Sequence, residues 1–402
     1  MLGIGIFGEY IMKVFVVDNV HMIKDLEGNY YSPSIYDYNF LKRYLKVFDE
    51  VQFIGKVKKV VDLDREKYNL LTGEGVSIIE LPWYQGFKQM LKKMPELLKI
   101  YKESCQNCDC IIFRVAQMES FFVYILGKRK KQPFAIEVVN DPATFIDMPA
   151  IFRICSIVLL KLMAKKARGA SYVTEHFLQQ KYPVNKKKGS FETFYSSIEL
   201  KREDIFKEPL FYRGEKEKPF RIAHVSNAIN TDIKGHSTLL KAVKKVLDDG
   251  YKIETICIGD GTKVEEYQNY CEMHKINDSV HFIGRVSNRG KLLEILRTCN
   301  LMVLPTKMEG LPRTIIEAMA VGLPCISTPV AGIPELLERK YLFAPDDWMG
   351  FALEIERLME TPLELYNMSV RNLSKSKEFI SDNLEERRTW FYNKLREAVL
   401  SS

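Results

Sequence analysis

Residues 309–337 run EGLPRTIIEAMAVGLPCISTPVAGIPELL. Seven residues separate Glu309 from Glu317, about two helical turns. Pro312 stands between them where a helix would begin. There its missing N–H costs nothing and its fixed φ suits the first helical position. The next amides, those of Arg313 and Thr314, then point outward with the positive end of the helix dipole. That suits an anion, most naturally phosphate. Glu309 lies at the rim of this site, and Gly310 and Leu311 complete the approach to the helix. Glu317 lies further along, where a carboxylate can accept two hydroxyls, as a ribose cis-diol offers. Phosphate, diol and a second carboxylate together describe a sugar nucleotide. A plain amphipathic helix accounts for Ile315, Ile316 and Met319. It does not account for Glu309, Pro312, Glu317, Gly322 and Pro324 occurring together.

On the N-terminal side, strand-like apolar runs alternate with helical patterns. The runs are at 12–18, 50–57, 76–82, 110–115, 134–140 and 170–175, and helical patterns at 35–48 and 86–104 lie between them. A second series follows at 221–226, 253–259, 280–286, 301–306 and 324–329. Such alternation predicts parallel sheets covered by helices on both faces. Length agrees: 402 residues favour two domains. The boundaries expected are 12–196 for the first domain, a polar linker over 197–218 and 219–383 for the second. An amphipathic terminal helix over 384–400 carries Trp390, Phe391 and Leu395.

The Glu-x7-Glu spacing, the EAMA-x-G-x-P run and the tail Gly332-Ile333-Pro334-Glu335 resemble the donor-site signature of retaining glycosyltransferases, family four of the GT-B fold. The resemblance implies two Rossmann-like domains facing across a cleft, with the nucleotide sugar on the second and the acceptor on the first. It implies roles for further residues. Lys234, before Gly235, would neutralise the donor diphosphate. The arginine usual just after the strand at 221–226 is missing, Ser226-Asn227 standing there, and Arg313 or Arg285 would have to compensate. Gly259, in the strand-to-helix turn Ile258-Gly259-Asp260-Gly261, would lie near the nucleotide, and Arg285 would flank the base. Glu309 would grip sugar hydroxyls. Asp141, at the end of the strand 134–140, is a candidate catalytic residue facing the donor sugar and acceptor, with a helix cap or Asx turn as its alternative. His176 reads as part of a helix start capped by Thr174.

Two patterns are refused. Gly3-Ile4-Gly5-Ile6-Phe7-Gly8 fits G-x-G-x-x-G, but only two residues precede it and no strand can. Asp62-Leu63-Asp64 fits the metal-binding D-x-D of the other glycosyltransferase fold, which has one nucleotide domain rather than two. Neither NAD nor a metal is therefore expected, and the nucleotide sugar serves as co-substrate. The eight cysteines make no disulfide framework. Cys105, Cys108 and Cys110 lack a second pair at zinc spacing and read as reduced thiols in a cytoplasmic protein.

The formal charge of +7 belongs entirely to residues 1–200. Its clusters are Lys128-Arg129-Lys130-Lys131, Lys165-Lys166-Ala167-Arg168 and Lys186-Lys187-Lys188. They suit an anionic membrane surface or a phosphorylated acceptor, and nucleic acid is not expected as a partner. The apolar stretch 150–164, interrupted by Arg153 and Lys161, is too short to span a bilayer and is expected to pack in the core rather than on lipid. The function expected from the resemblance is transfer of a sugar to a glycan or lipid-linked glycan in cell-surface polysaccharide synthesis, in the cytoplasm or at the inner membrane face. The alternatives are a nucleotide-sugar-binding regulatory protein and a GT-B sugar epimerase.

Overall fold

A computed structural model describes residues 10–33, 36–65, 68–145, 149–212 and 218–401. The refused glycine run at 3–8 lies outside them. The first sheet contains β1 (Lys13–Val17), β2 (His21–Lys24), β3 (Tyr30–Ser32), β4 (Glu50–Lys59), β5 (Asn69–Leu70), β6 (Val76–Pro82), β7 (Cys110–Val115), β8 (Phe134–Val138), β9 (Gly169–Tyr172) and β10 (Phe191–Phe194). They run in the order β10-β9-β8-β7-β1-β4-β2-β3-β5, with β6 also on β4. The second sheet contains β11 (Phe220–Ala228), β12 (Ile253–Asp260), β13 (Val280–Phe282), β14 (Leu301–Leu304) and β15 (Cys325–Ser327), ordered β13-β12-β11-β14-β15. The second sheet is parallel throughout. β7 and β8 are buried at every residue, as parallel strands covered on both faces must be.

The edge of the first sheet departs from the expected all-parallel pattern. β3 pairs antiparallel with both β2 and β5. The β2–β3 turn uses Gly28 at φ +89°, a left-handed conformation that glycine adopts without strain. The helical pattern over 86–104 is two helices, Gly86–Lys92 and Met94–Gln106. Pro95 sits in the first turn of the second, where its missing N–H is harmless, and could not have continued the first.

The segment expected as a polar linker is a packed strap. Ile198 and Leu200 are buried. Phe206 N–H donates to Ala320 C=O at 2.9 Å, and Leu210 N–H to Ser369 Oγ at 2.7 Å. The last helix, Ser381–Leu400, returns to the first sheet. Phe391 packs edge-on against Phe191 of β10, and Tyr392 Oη donates to Glu137 of β8 at 2.7 Å. Glu137 also accepts from Tyr195 at 2.8 Å and pairs with Arg114, which reaches Asp18 at 2.7 Å. Burial alone would raise the Glu137 carboxyl. Arg114 and the two tyrosine hydroxyls outweigh it and hold the group below the usual carboxylate range.

The helix Ala150–Lys166 corrects another expectation. Only Ser156, Leu160, Met163 and Ala164 are buried, and most of its apolar residues face outward. No described helix is long and apolar enough to cross a membrane.

Candidate active site

The helix of the Glu-x7-Glu stretch spans Arg313–Ala320. Pro312 is its cap rather than its first residue, one position earlier than expected. The first bond of the helix runs from Ile316 N–H to Pro312 C=O, and no side chain caps the end. The amides of Arg313, Thr314 and Ile315 therefore have no partner within the helix. Ile315, Ile316 and Met319 are fully buried beneath it, which fixes the direction in which those amides point.

Lys234 and Glu309 meet here from beyond the C-terminal ends of two adjacent parallel strands, β11 and β14. Lys234 ends a short 3-10 turn after β11, capped by Thr231. Lys307 N–H and Thr306 Oγ1 both bond to Ile233 C=O, tying that turn to the end of β14. Gly235 follows at φ +76°, and a Cβ there would lie 2.0 Å from Pro305 C=O, so only glycine allows the approach. Lys234 Nζ then donates to Glu309 Oε1 at 2.5 Å. Glu317 lies in the second turn of the helix, with Arg289 Nε 3.9 Å away. Burial pushes its carboxyl above the usual range, and Arg313 and Arg289 partly offset this. Arg289 is a residue the sequence reading missed; only its spatial neighbourhood marks it.

The remaining expected residues divide. Arg285 is exposed and lines a shallow cavity of about 340 Å³ with Ile283, Asn288 and Lys291. Gly259 has an internal reason to be glycine: at φ +143°, a Cβ would meet Ser226 C=O at 1.6 Å. Gly310 abuts the first sheet, where a Cβ would lie 2.3 Å from Val139 C=O and 3.3 Å from Asn140 Oδ1. Leu311 is half-buried against the core and within reach of Gly332.

Asp141 does not face the cleft. It is 1% exposed, and its carboxylate accepts from Ala143 N–H, Tyr182 Oη and Lys181 Nζ at 2.9, 2.6 and 2.5 Å. Three donors satisfy it as the cap of the turn that begins at Pro142, so the cap alternative prevails over the catalytic one. Its neighbour Asn140, half-buried beside Gly310, is the polar group presented there.

The two sheets are clasped at this point. Glu335, from the Gly-Ile-Pro-Glu tail, accepts from the amides of Glu175, His176 and Phe177 at 2.6, 3.1 and 2.8 Å. Those amides open the short helix Phe177–Lys181, so a carboxylate from the second sheet caps a helix of the first. Thr174 also caps it, accepting from Leu178 N–H. Beneath the Lys234 turn, His224 and His236 meet edge to face with ring centroids 4.3 Å apart, both buried. Burial lowers them to about 4 and about 2, so neither is charged near neutral pH. No cluster able to hold a metal ion occurs among the described residues, and every cysteine is a free thiol.

Known proteins resemble this chain in sequence and in fold. A family model described as glycosyl transferases group 1 matches residues 207–376, which include every residue of the second sheet and the Arg313–Ala320 helix. Protein CapJ of Staphylococcus aureus is 26% identical over 371 residues, 90% of each chain. The amylovoran biosynthesis glycosyltransferase AmsK of Erwinia amylovora is 30% identical over 132 residues, 31% of this chain and 32% of AmsK. Among solved structures, Anabaena HepE in complex with UDP and glucose superposes with a TM-score of 0.62 at 15% identity, over 97% of this chain and 100% of that one.

Proposed function

We propose that this chain, which belongs to the group 1 glycosyltransferases and has the GT-B fold, moves a sugar from a nucleotide-sugar donor to a hydroxyl of a glycan or lipid-linked glycan. Polysaccharide synthesis at the cell surface is the setting, supported by the likeness to AmsK, a glycosyltransferase of amylovoran biosynthesis. The acceptor domain is residues 12–196 with the terminal helix, and the donor domain is 219–383. The observation that carries the reading is the arrangement at the start of the Arg313–Ala320 helix: open amides, the Lys234–Glu309 pair and, in the second turn, Glu317.

That arrangement suits the charges of the reaction. As the bond to the anomeric carbon breaks, positive charge grows on the sugar and negative charge on the departing diphosphate. Lys234 and the amides of Arg313 and Thr314 stabilise the diphosphate. Glu309 holds sugar hydroxyls beside the reacting carbon, and Glu317 takes the ribose diol. With Asp141 capped and both histidines buried, the acceptor hydroxyl delivers its proton to the leaving phosphate oxygen. Attack and departure then share one face, and configuration is retained. These groups supply the positive charge the diphosphate needs, so activity should survive EDTA. The test begins with a panel of UDP- and GDP-sugars, scored by thermal stabilisation. The best donor is then followed by NMR as it is hydrolysed or transferred. Release of a product with inverted configuration, or no donor stabilising the protein, would overturn the reading.

A further inference from the structure

The helix Ala150–Lys166 is about 25 Å long and carries two kinds of surface. Its inner side packs Leu160, Met163 and Ala164 into the core that also holds Leu97 and Tyr101. Outward, Ile151, Ile154, Val158 and Leu162 are 64, 54, 51 and 46% exposed. Ile151, Cys155, Val158 and Leu162 fall at i, i+4, i+7 and i+11, one continuous stripe. A stripe of this kind left uncovered marks an interaction surface rather than a core. Its final turn changes character, to Lys161, Lys165 and Lys166.

A second basic cluster adjoins that end. Lys128 Nζ sits 5.0 Å over the ring of Phe134, whose C=O accepts from Arg168 N–H, two residues past the helix, at 2.9 Å, so the 128–131 loop lies beside the lysine end of the helix. Neither residues 149–168 nor residues 128–133 contain an aspartate or glutamate. The face is thus apolar over its first three turns and cationic, without compensating acid, over the rest.

We propose that this face docks on an anionic lipid bilayer, the apolar stripe lying at headgroup depth and the lysines on anionic headgroups. Apolar length with a uniformly basic border matches that surface. The helix follows β8, and Val139, just past that strand, abuts Gly310, so its apolar end is the one nearer the cleft. An acceptor anchored in the bilayer would then reach the cleft without leaving the membrane. This last step rests on the transferase reading above.

Cys155 supplies the probe, because it is exposed and the other seven cysteines are buried. The full chain, labelled there with an environment-sensitive thiol fluorophore, is titrated with vesicles of phosphatidylcholine alone or with about one-third phosphatidylglycerol. A blue shift with anionic vesicles alone is expected, reversed by added salt. Changing Lys161, Lys165 and Lys166 to Ser should weaken binding about tenfold or more. Val158→Glu with Leu162→Glu should abolish the shift. If that pair lowers the melting temperature, Val158→Ser with Leu162→Ser is used, and weaker binding is still expected. Three results overturn the proposal: no binding at low salt, equal binding to neutral vesicles, or flotation with vesicles while the label stays in water. A label buried without vesicles, by self-association, would assign the face to a second copy instead. Neither donor nor acceptor is present, so any of these failures leaves the transferase reading standing.

Discussion

Lys234 and Glu309 form an ion pair at the start of the Arg313–Ala320 helix, joining the cation suited to the diphosphate to the carboxylate suited to the sugar. A diphosphate that enters must share the Lys234 ammonium with Glu309. The two side chains therefore act as one unit, and their effects should not add. Lys234→Ala and Glu309→Gln are each expected to lower kcat about 10²–10³-fold. The double variant should lose little more than either single one. Steady-state kinetics of all three checks this, and full additivity would show that the two groups act separately.

Glu317 should behave differently, because the ribose is remote from the reacting carbon. Glu317→Gln is expected to raise the donor KM with kcat nearly unchanged. A loss of about 1.5–3 kcal/mol in nucleotide affinity is expected for hydrogen bonds to a charged group.

Glu317 also sets a pH dependence. Burial raises its carboxyl, and the ribose diol needs the ionised form as acceptor. Nucleotide affinity should therefore begin to fall, on acidification, at a higher pH than an ordinary carboxylate would give. In the free protein the sign is opposite: the folded state holds the proton more tightly than the unfolded chain. Stability from this group is therefore greatest at low pH and declines as pH rises through the raised value. Calorimetric titration of UDP against pH, with Glu317→Gln as control, separates the two; the acid limb should flatten in the variant.

Glu335→Ala removes the acceptor for three amides of the first-sheet helix. The clasp between the sheets should loosen while the donor residues stay in place. Faster hydrogen exchange at 175–177 and a larger radius of gyration are expected, with donor affinity within about twofold and kcat reduced. Unchanged exchange there would show that other contacts hold the sheets together.

Much of this site was legible locally. Pro312, Glu309 and Glu317 mark a helix start and its rim by spacing alone, whereas Lys234 before Gly235 reads as a surface lysine without the family resemblance. What escaped was tertiary. Asp141 reads equally well as a cleft carboxylate or a cap, and the donors that settle it include Lys181 and Tyr182, forty residues away. Arg289 reads as a surface arginine until folding places it 3.9 Å from Glu317. The outward stripe of Ala150–Lys166 looks like core because apolar content says nothing of which side is covered. The strap at 197–212 looks like a linker because its few apolar anchors, Ile198 and Leu200, are diluted by charge.

Tyr392→Phe tests the seam between the terminal helix and the first sheet. Loss of one hydroxyl to a buried carboxylate should cost about 1.5–3 kcal/mol, seen as a lower melting temperature. Glu137 is held below the usual range partly by this donor. Its stabilising contribution is present above the ordinary carboxylate pKa and is lost as pH falls through the depressed value. The variant raises that value, so acid unfolding should set in at a higher pH.

The same seam orders events during synthesis. Every strand of the second sheet lies between Phe220 and Ser327, so that half can close as soon as it clears the ribosome. The half made first must wait. Glu137 and Arg114 sit in the middle of its sheet, and one hydroxyl that covers them belongs to Tyr392, 255 residues after Glu137. The first sheet, though translated before the second, is therefore sealed after it, and a nascent chain stalled short of the Ser381–Leu400 helix would carry a finished second sheet on an unfinished first.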